Sequence, residues 1–406
     1  MRWEPDPTQA RLGDRSLFPD LEPFAYLNHA AISPPSAEVR RAVAALLDDY
    51  ARRGVVAAFG SWREQRERLR ARLARLVGAP SEGLALVPNT SLAVVDVALC
   101  FPWRAGDRVL LLRGEFPTNV TPWQRAAESF DLELTYLDAD AFANDAGLAA
   151  LDAELERGLR LVAASAVPFD TRLRRPLAPI ARRCREAGAQ LFVDAIQAVG
   201  VVPLDVQAMG IDYLACGSHK WLMGLEGAGF LYVRPERGAE LVPRVAAWLS
   251  HEDPLAFLRG DPGQLRYDRP IRAEPTFLEV GAINGAGFAA LEAAVALIEA
   301  IGVEAIFDHV NRYHDRLEPA LVERGFESER SADPTRRSGT LALRPPPAID
   351  LAALCRGLGE RGVACTTPDG RLRFSPHWPN ALAEVPRVLE AVDATLAALR
   401  AGAGSP

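Results

Sequence analysis

The sequence predicts an α/β protein in which a large domain built on a mostly parallel sheet is followed by a smaller C-terminal α/β domain. Between residues 84 and 234, short apolar runs typical of strands alternate with helical patterns. Such alternation implies right-handed crossovers and a largely parallel sheet with helices on both faces. The runs are continuously apolar rather than alternately apolar and polar, as expected of strands that are buried on both sides.

Each predicted element occupies a definite range of the sequence. The apolar runs predict strands at 84–88, 107–112, 132–137, 160–167, 190–195, 211–216 and 229–234. Apolar residues at helical spacing predict helices at 62–78, 91–101, 176–188, 285–302, 304–325, 350–362 and about 380–400. Two more strands are predicted at 340–345 and 371–377. We therefore predict an N-terminal arm at 1–25, a large domain at 26–275 and a small domain at 276–406.

The composition is that of an ordinary globular protein and gives no indication of a nucleic-acid or membrane partner. The 406 residues are 49% apolar and 24% charged, with a net charge of −7, and no basic block suited to nucleic acid is present. No window is long enough to span a membrane, and the N-terminus lacks an apolar signal segment. The five cysteines are scattered without zinc-ligand spacing. We expect a cytoplasmic protein without a metal site and without nucleic-acid or membrane partners.

Lys220 is the only lysine in the chain, and the other 45 of the 46 lysine and arginine residues are arginines. It stands in the stretch "CGSHKWLMG" at 216–224, next to Trp221, Leu222 and Met223. A guanidinium stays protonated at ordinary pH, whereas a desolvated ammonium can lose its proton and the free amine can form a Schiff base. The sequence therefore favours a position where an amine is required; the alternative is a chance surface lysine.

Polar residues at predicted strand ends form a pattern suited to pyridoxal phosphate. Asp194 ends the strand at 190–195, and Gln197 follows three residues later. Such residues can pair with a pyridinium nitrogen and a ring hydroxyl, and a lysine Schiff base completes the arrangement. Thr90 and Ser91 follow another strand and open a helix, where a phosphate can bind the free backbone N–H groups. Taken singly, Asp194 could be a turn residue and Thr90 a helix cap.

The sequence resembles the class V aminotransferase group of fold-type I pyridoxal-phosphate enzymes. That group includes cysteine desulfurases, selenocysteine lyases, kynureninase and isopenicillin N epimerase. The resemblance spans nearly the whole chain. The matching motifs are "YLNHAAISP" (26–34), "NTSLAV" (89–94), "EFPTNVTPW" (115–123), "VDAIQAVG" (193–200), "GSHKWL" (217–222), "LEVGAIN" (278–284) and "RFSPHWPN" (373–380). The spacing of "VDAxQ" and "HKWL" is the most specific part of the match.

The resemblance implies how the cofactor ring is held. Lys220 would be the Schiff-base lysine, which also serves as general acid and base once the substrate has displaced it. Asp194 would pair with the pyridinium nitrogen and Gln197 would contact the ring oxygen. Phe116 stands where the family places an aromatic ring stacked on the cofactor; the alternative for Phe116 is a plain core residue.

The same resemblance implies a phosphate site and a substrate site. The phosphate would be held by four residues near the helix start, namely Thr90, Ser91, Ser218 and His219. Arg373 falls where the family binds the substrate α-carboxylate, a task suited to a bidentate guanidinium. Asn28 and His29 lie in the N-terminal segment that borders the substrate site in relatives. Without the family, Arg373 would be read as a solvent-facing strand residue.

Three features depart from the family pattern. Many relatives have Thr where this chain has Ala282, a position that reaches the phosphate from the partner subunit of a homodimer with shared active sites. The stretch at 165–177 lacks the Asn that desulfurases place beside the cofactor, and Phe169 stands near that position. Cys365 is only eight residues before Arg373, too close to lie on the longer loop that carries the desulfurase nucleophile. We therefore expect Cys365 to be a small core residue rather than a nucleophile.

The sequence therefore predicts a pyridoxal-phosphate enzyme that acts on an amino acid or related amine. Our first expectation is an aminotransferase, with a lyase acting at Cβ or an epimerase, each without a cysteine nucleophile, as the alternative. A protein that binds the cofactor without turnover is a further alternative. A nicotinamide-dependent enzyme is not favoured, because Gly224, Gly227 and Gly229 do not form the required glycine motif after a strand.

Overall fold

A computed structural model describes residues 4–138, 142, 145–169, 172–260, 262–282 and 284–403. Asp170, Thr171 and Ile283, which belong to two of the stretches discussed above, lie outside the described residues. In the described part of the chain the strands are β1 Ala25–Tyr26, β2 Leu84–Val87, β3 Arg108–Leu112, β4 Glu133–Leu137, β5 Leu159–Ser165, β6 Gln190–Asp194, β7 Tyr213–Gly217, β8 Gly229–Val233, β9 Glu327–Ser328, β10 Leu341–Arg344, β11 Val363–Ala364 and β12 Leu372–Phe374.

Helices connect and cover these strands. In the same described residues they are α1 Ala37–Val77, α2 Thr90–Cys100, α3 Thr121–Phe130, α4 Asp145–Glu156, α5 Leu177–Glu186, α6 Val206–Met209, α7 Pro235–Gly238, α8 Gly285–Ile301, α9 Val303–Glu323, α10 Leu351–Glu360 and α11 Val385–Ala403. The helix predicted at 62–78 is the second half of α1, whose backbone leaves the helical conformation at Gly54 with φ 66°.

The central sheet has seven strands in the order β2-β8-β7-β6-β5-β3-β4. Neighbouring strands from β7 to β4 run parallel, whereas β8 is antiparallel to both β7 and β2. All seven strands predicted for the large domain are present in this sheet. The expectation of an α/β fold with a mostly parallel sheet is therefore confirmed.

Both faces of the central sheet are buried, as the continuous apolar runs predict. Leu84 and Leu86 of β2 belong to the core on the face covered by α1, α5 and α8, and Ala85 and Val87 belong to the core on the face covered by α2 and α3. Because successive side chains of a strand point to opposite faces, a strand between two helix layers needs an apolar residue at every position.

The C-terminal part of the chain forms a second, smaller core. The antiparallel sheet β12-β10-β9 packs with α9, α10 and α11 around apolar side chains such as Leu354 and Phe374. The N-terminal segment joins this unit, because β1 pairs in parallel with β11. This pairing carries Asn28 and His29 to the same side of the molecule as β12.

Helix α8 packs lengthwise on α1 beside the central sheet. Gln65 donates a hydrogen bond to the carbonyl of Phe288 at 3.0 Å, and Arg68 pairs with the buried Glu292 at 2.8 Å. The division into domains at residues 275 and 276 stays a prediction, and this packing favours placing α8 with the large unit. Over the described residues no single helix is long and apolar enough to cross a membrane; α8 and α9 reach that length only together, with a bend of 78° between them.

Candidate active site

Asp194 lies at the carboxyl end of β6, in the middle of the central sheet. It is 2% exposed and accepts a hydrogen bond from the backbone N–H of Ile196 at 3.0 Å. Burial raises the pKa of Asp194 to about 6, while the Ile196 N–H and the charge of Lys220 act in the opposite direction. A cationic partner at this carboxylate would restore its ionisation, as a pyridinium nitrogen does.

Lys220 lies in the loop between β7 and β8, next to the end of β6. Its Nζ is 5.8 Å from the centroid of the Phe116 ring, which is 43% exposed and therefore not a core residue. Burial lowers the pKa of the Lys220 amine, and the nearby Asp194 carboxylate counteracts part of this effect. The structure thus brings together the amine, the carboxylate and the aromatic face that the sequence predicts.

The start of α2 offers the donors for a phosphate. Asn89 caps the helix through a hydrogen bond from the Leu92 N–H at 2.8 Å, which leaves the N–H groups of Thr90 and Ser91 free of acceptors within the helix. The buried hydroxyl of Thr90 has no hydrogen-bond partner. A Cβ placed on Gly217 would lie 3.2 Å from this hydroxyl and 3.5 Å from Nδ1 of His219, so both polar groups converge on the space that Gly217 leaves open.

The other two predicted phosphate residues differ in their availability. The Ser91 hydroxyl lies at the surface, 2.8 Å from the hydroxyl of Thr118, and is accessible. Ser218 is fully buried, and its hydroxyl donates to the carbonyl oxygen of Leu225. No hydroxyl hydrogen of Ser218 remains for a phosphate oxygen, so Ser218 is left out of the phosphate site.

Gln197 is held in place on both sides of its amide. Its Nε2 donates to the carbonyl of Ala30 at 3.1 Å, and its Oε1 accepts from the indole N–H of Trp221 at 2.9 Å. The amide nitrogen carries a second hydrogen that can reach a ring oxygen. Together with the unpartnered Thr90 hydroxyl and the Asp194 carboxylate, this donor fits pyridoxal phosphate. Among the described residues no group of three or more His, Cys, Asp or Glu side chains is arranged to hold a metal ion.

Arg373 on β12 is a buried cation without a counter-ion among the described residues. It is 4% exposed, its Nε is buried without an acceptor, and no carboxylate of the described residues forms an ion pair with its guanidinium. Burial and the nearby Arg172 guanidinium lower the pKa of Arg373 to about 10, which still leaves it charged at neutral pH. An unpaired buried guanidinium is costly unless a ligand supplies the negative charge.

Asn28 is tied to the same strand by Thr366, a residue that sequence reasoning missed. The Thr366 hydroxyl donates to Oδ1 of Asn28 at 3.0 Å, and the Thr366 carbonyl accepts from the backbone N–H of Arg373 at 2.8 Å. The amide nitrogen of Asn28 therefore faces away from Thr366 and stays available as a donor. His29, in contrast, is 1% exposed and contacts Ser33 rather than open space, so its ring does not line the site.

Glu115 is a second residue that sequence reasoning missed. It accepts a hydrogen bond from the Ser165 N–H at 2.9 Å and pairs with the buried Arg175. Ser165 is the neighbour of Asp194 across the sheet, and the Glu115 charge contributes to the raised pKa of Asp194. Its partners are 50 and 60 residues away in sequence, so no local pattern indicates this role.

Cys365 has a partner within the protein. Its sulfur lies 3.8 Å from that of Cys355 on α10. The contact with Cys355 and burial both raise the pKa of the Cys365 thiol. A protonated, partly buried thiol is a poor nucleophile, which agrees with the expectation of a structural cysteine.

Comparisons with known proteins cover nearly the whole chain. A sequence profile described as Aminotransferase class-V matches residues 25–372. The chain is 27% identical to an uncharacterized aminotransferase of Bacillus subtilis, YcbU, over 94% of this chain and 96% of that protein. It is 30% identical to isopenicillin N epimerase of Streptomyces clavuligerus over 79% of this chain and 82% of the epimerase. A solved structure of a C-DES variant with glycine covalently linked to its PLP cofactor has a TM-score of 0.81 at 22% identity, over 93% of this chain and 98% of that one.

The profile match contains the residues from Asn28 to Lys220 around which the site is built. The structural likeness extends over both the central sheet and the C-terminal unit. The resemblance inferred from the sequence motifs is therefore confirmed, together with the cofactor class. The chain belongs to the aminotransferase class-V family and is a pyridoxal-phosphate-dependent enzyme of fold type I.

Proposed function

We propose that this enzyme is an aminotransferase that binds its amino acid substrate through the α-carboxylate at Arg373. The observation that carries the proposal is the buried, unpaired guanidinium of Arg373, whose charge also lowers the pKa of the Lys220 amine. A guanidinium presents parallel N–H donors that match a carboxylate. A substrate carboxylate at Arg373 would therefore leave the neighbouring carbon and its amine on the side of Lys220.

The residues that would hold the cofactor are those at the ends of β2, β6 and β7. When bound, pyridoxal phosphate supplies an aldehyde that captures amines and a ring that withdraws electrons from the carbon bearing the amine. Asp194 would carry the counter-charge for the ring nitrogen, and Gln197 would donate to the ring oxygen. Thr90 and Ser91 would donate to the phosphate at the start of α2, with His219 beside them.

Lys220 is the group that can move a proton at the substrate. Burial lowers the pKa of its amine, which brings the amine nearer to the range in which it can both take and return a proton. Phe116, which flanks Lys220, has no proton to give. One base acting from one side suits a reaction in which the proton removed from Cα is returned elsewhere on the same side. Transamination has that requirement, and so does elimination at Cβ.

Epimerisation is the second candidate, because isopenicillin N epimerase is 30% identical to this chain. Inversion at Cα needs a proton delivered to the face opposite to the one from which it was removed. Phe116 is not a proton donor, and His29 is 1% exposed with a pKa held well below its usual value by burial. These two side chains offer no second acid, so the geometry favours transamination over epimerisation.

We further propose a homodimer in which the segment around Gly281 and Ala282 serves the partner's site. This segment borders an open cavity of about 910 Å³ that is also lined by Trp62 and Trp248. Of these two side chains, Trp248 is 46% exposed. An exposed tryptophan at the wall of an open cavity is apolar surface that a partner subunit would cover. Light scattering from the purified protein tests whether it is a dimer. We retain the cytoplasm as the predicted location.

The first experiment is visible absorption of the purified protein with pyridoxal phosphate, titrated with a panel of amino acids. Because Lys220 is the only lysine of the chain, borohydride reduction should fix the cofactor on a single lysine peptide. Lys220→Arg keeps the charge but should lose both the visible band and the trapped peptide. An amino acid that bleaches the band, and a keto acid that restores it, would identify an aminotransferase.

Other outcomes of the titration have equally definite meanings. Spontaneous recovery of the band with release of ammonia would identify a lyase, and exchange of the Cα hydrogen with inversion would identify an epimerase. A band that no amino acid changes would favour a protein that binds the cofactor without turnover. Absence of any band in the wild-type protein with added cofactor would contradict the proposed site.

A further inference from the structure

Three successive carbonyl groups at Lys220 are each held by a buried donor from a distant segment. The carbonyl of His219 accepts from the Ser33 backbone N–H at 2.8 Å, and that of Lys220 accepts from the Ser33 hydroxyl at 2.7 Å. The carbonyl of Trp221 accepts from Nε2 of His377 at 2.9 Å. The donors come from the N-terminal segment and from the segment that follows β12, which are 187 and 156 residues away from their acceptors.

Counting hydrogens shows which nitrogen of each histidine ring donates. The single hydroxyl hydrogen of Ser33 goes to the Lys220 carbonyl, so Ser33 must accept at its oxygen from Nδ1 of His29, 2.7 Å away. Nδ1 of His377 accepts from the Trp378 N–H at 2.7 Å, so Nε2 of that ring carries the hydrogen that reaches the Trp221 carbonyl. The His377 ring is thus neutral, and the His29 ring carries a hydrogen on Nδ1; because burial disfavours a second hydrogen, the His29 ring is neutral as well.

Burial keeps both rings in that state. His29 and His377 are 1% and 0% exposed, and their ring centroids are 5.3 Å apart. Burial lowers the pKa of His377 to about 3 and holds that of His29 well below its usual value. The two histidine rings therefore keep the same donor nitrogens at every pH near neutrality. The arrangement is not a pH switch.

The same loop is enclosed from a third direction. Gly200 has a φ of 103°, and a Cβ placed on it would lie 2.4 Å from the carbonyl oxygen of Trp221. The indole N–H of Trp221 is also bound by Gln197 at 2.9 Å. The backbone at Lys220 therefore has no room to shift without losing one of these contacts.

We propose that Ser33, oriented by His29, and His377 are positioning residues that fix the backbone of Lys220 relative to Arg373. His377 is four residues beyond Arg373, and the backbone N–H of His29 donates to the carbonyl of Ser375 at 3.1 Å. The contacts thus join the loop that carries the amine to the strand that carries the carboxylate-binding guanidinium. This inference rests on the proposed roles of Lys220 and Arg373 and adds how their separation is set.

Loss of these contacts should affect turnover more than binding. Cofactor attachment and carboxylate binding need only the side chains of Lys220 and Arg373. Proton transfer needs the amine at a defined place, and a displacement of about 1 Å can cost up to about a hundredfold in rate. Removing the Ser33 hydroxyl should therefore lower kcat by about tenfold or more while KM stays nearly constant.

The experiment compares substitutions that keep or remove a single hydrogen bond in the holoenzyme. Ser33→Ala removes the donor to Lys220, and Ser33→Thr restores a hydroxyl. His29→Asn places an amide N–H near Nδ1, whereas His29→Gln places it near Nε2. Ser36→Ala is the matched control, because Ser36 is buried and caps α1 through the Val39 N–H at 3.2 Å without touching the Lys220 loop.

Four quantities are measured for each variant: kcat and KM with an active amino acid, the thermal midpoint, and the induced circular dichroism of the visible band divided by its absorbance. We expect Ser33→Ala and His29→Gln to lose kcat and to lower this ratio, because the cofactor lysine is held less firmly. Ser33→Thr and His29→Asn should retain most of both. Ser36→Ala should lower the thermal midpoint alone.

The outcomes separate this inference from the proposed function. If Ser33→Ala and His29→Gln lose stability but keep the kcat and the dichroism ratio of the wild-type protein, the contacts are merely structural and the inference is overturned. If Ser33→Ala does not fold, the comparison of His29→Asn with His29→Gln decides by the same criterion. A wild-type protein that shows no visible band with added cofactor refutes the proposed function itself.

Discussion

Two buried arginines of the C-terminal unit differ in what neutralises them. The side chain of Arg330 is 4% exposed and pairs with Asp315 at 2.7 Å and Glu318 at 2.8 Å, both on α9. Arg373 as a whole residue is 4% exposed, yet no carboxylate of the described residues pairs with it. The protein supplies the counter-charge in the first case and leaves it to a ligand in the second.

Asp194 extends this comparison to the opposite charge. It is 2% exposed, and the described residues include no cation in an ion pair with its carboxylate. The nearby Glu115 carboxylate, by contrast, is paired with Arg175. Burying a lone charge lowers stability, whereas a paired one is at least compensated. The two unpaired charges, Asp194 and Arg373, thus lie at the cofactor end and at the substrate end of the proposed site. The paired charges, such as Glu115, belong to the residues that surround it.

The largest expected effect is that of Arg373→Ala on substrate use. Losing one partner of a buried charge pair costs about 3 kcal/mol or more, so kcat/KM for an amino acid should fall by more than about a hundredfold. The free energy of unfolding should not fall, because the removed charge has no ion-pair partner among the residues that the structure describes. Steady-state kinetics and urea unfolding measure the two quantities.

Arg344→Ala is the matched control for this prediction, since Arg344 lies on the neighbouring strand β10 and its side chain is 58% exposed. It should leave kcat/KM unchanged within about twofold. The decarboxylated analogue of the same amino acid should be used equally by the wild-type protein and Arg373→Ala. If Arg373→Ala lowered kcat/KM for the amino acid and for its decarboxylated analogue to the same extent, Arg373 would not bind the carboxylate.

Asp194 should make the stability of the cofactor-free protein depend on pH. Its pKa is raised from 3.8 to about 6 in the folded protein, so the unfolded chain loses its proton first as pH rises. Stability is fully present below about pH 4 and is lost as pH rises to about 6, by about 3 kcal/mol in total. Urea unfolding of the wild-type protein and Asp194→Asn at several pH values isolates this contribution as a difference.

Bound cofactor should abolish the difference in pH dependence of stability between the wild-type protein and Asp194→Asn. A cation next to Asp194 lowers the pKa of the carboxylate in the folded state and removes the cause of the loss. The cofactor-free protein should therefore gain stability from Asp194→Asn above pH 6, whereas the holoenzyme should lose it. Equal pH dependence of the two cofactor-free proteins would contradict the raised pKa.

Arg330→Ala tests the buried arginine that is paired with carboxylates of the protein. It leaves Glu318 half-buried without its cation, while Asp315 is 52% exposed and can be solvated. We expect a loss of about 2 kcal/mol in the free energy of unfolding, below the value for a fully buried pair. The kcat/KM of the folded variant should stay at the wild-type value. A loss of activity at constant stability would place Arg330 with the ligand-binding charges instead.

The sequence predicts the parts of the site that depend on short-range patterns. The seven strands of the central sheet are encoded by apolar runs. Asp194 is the last residue of β6, and Gln197 and Lys220 come three residues after the ends of β6 and β7. Once parallel strands are adjacent, residues after their carboxyl ends must meet at one edge. For this reason sequence reasoning names most of the residues that the structure gathers at this edge, whereas the Ser218 hydroxyl turns to the Leu225 carbonyl; their roles toward the cofactor stay a prediction.

The support of the site leaves no such pattern in the sequence. The hydrogen bond from Thr366 to Asn28 joins residues 338 positions apart, and that from Ser33 to Lys220 joins residues 187 positions apart. Hydrophobic periodicity says which face of an element is buried but not which polar group it meets across the chain. His29 is the clearest example, since its sequence position predicts a substrate contact and its structure shows a buried donor to Ser33.

The smallest expected effect is that of Cys365→Ser. The Cys365 sulfur contacts Cys355 at 3.8 Å, so the thiol is a partnered group like Arg330 and not an open one like Arg373. A serine fills nearly the same space, and we expect kcat/KM within about twofold of the wild-type value and a stability change within about 1 kcal/mol. Cys355→Ser should behave in the same way. If Cys365→Ser alone abolished turnover of a sulfur-containing amino acid, the reaction would require the Cys365 thiol. A substrate whose carboxylate is bound at Arg373 would then have to place its own sulfur within reach of Cys365.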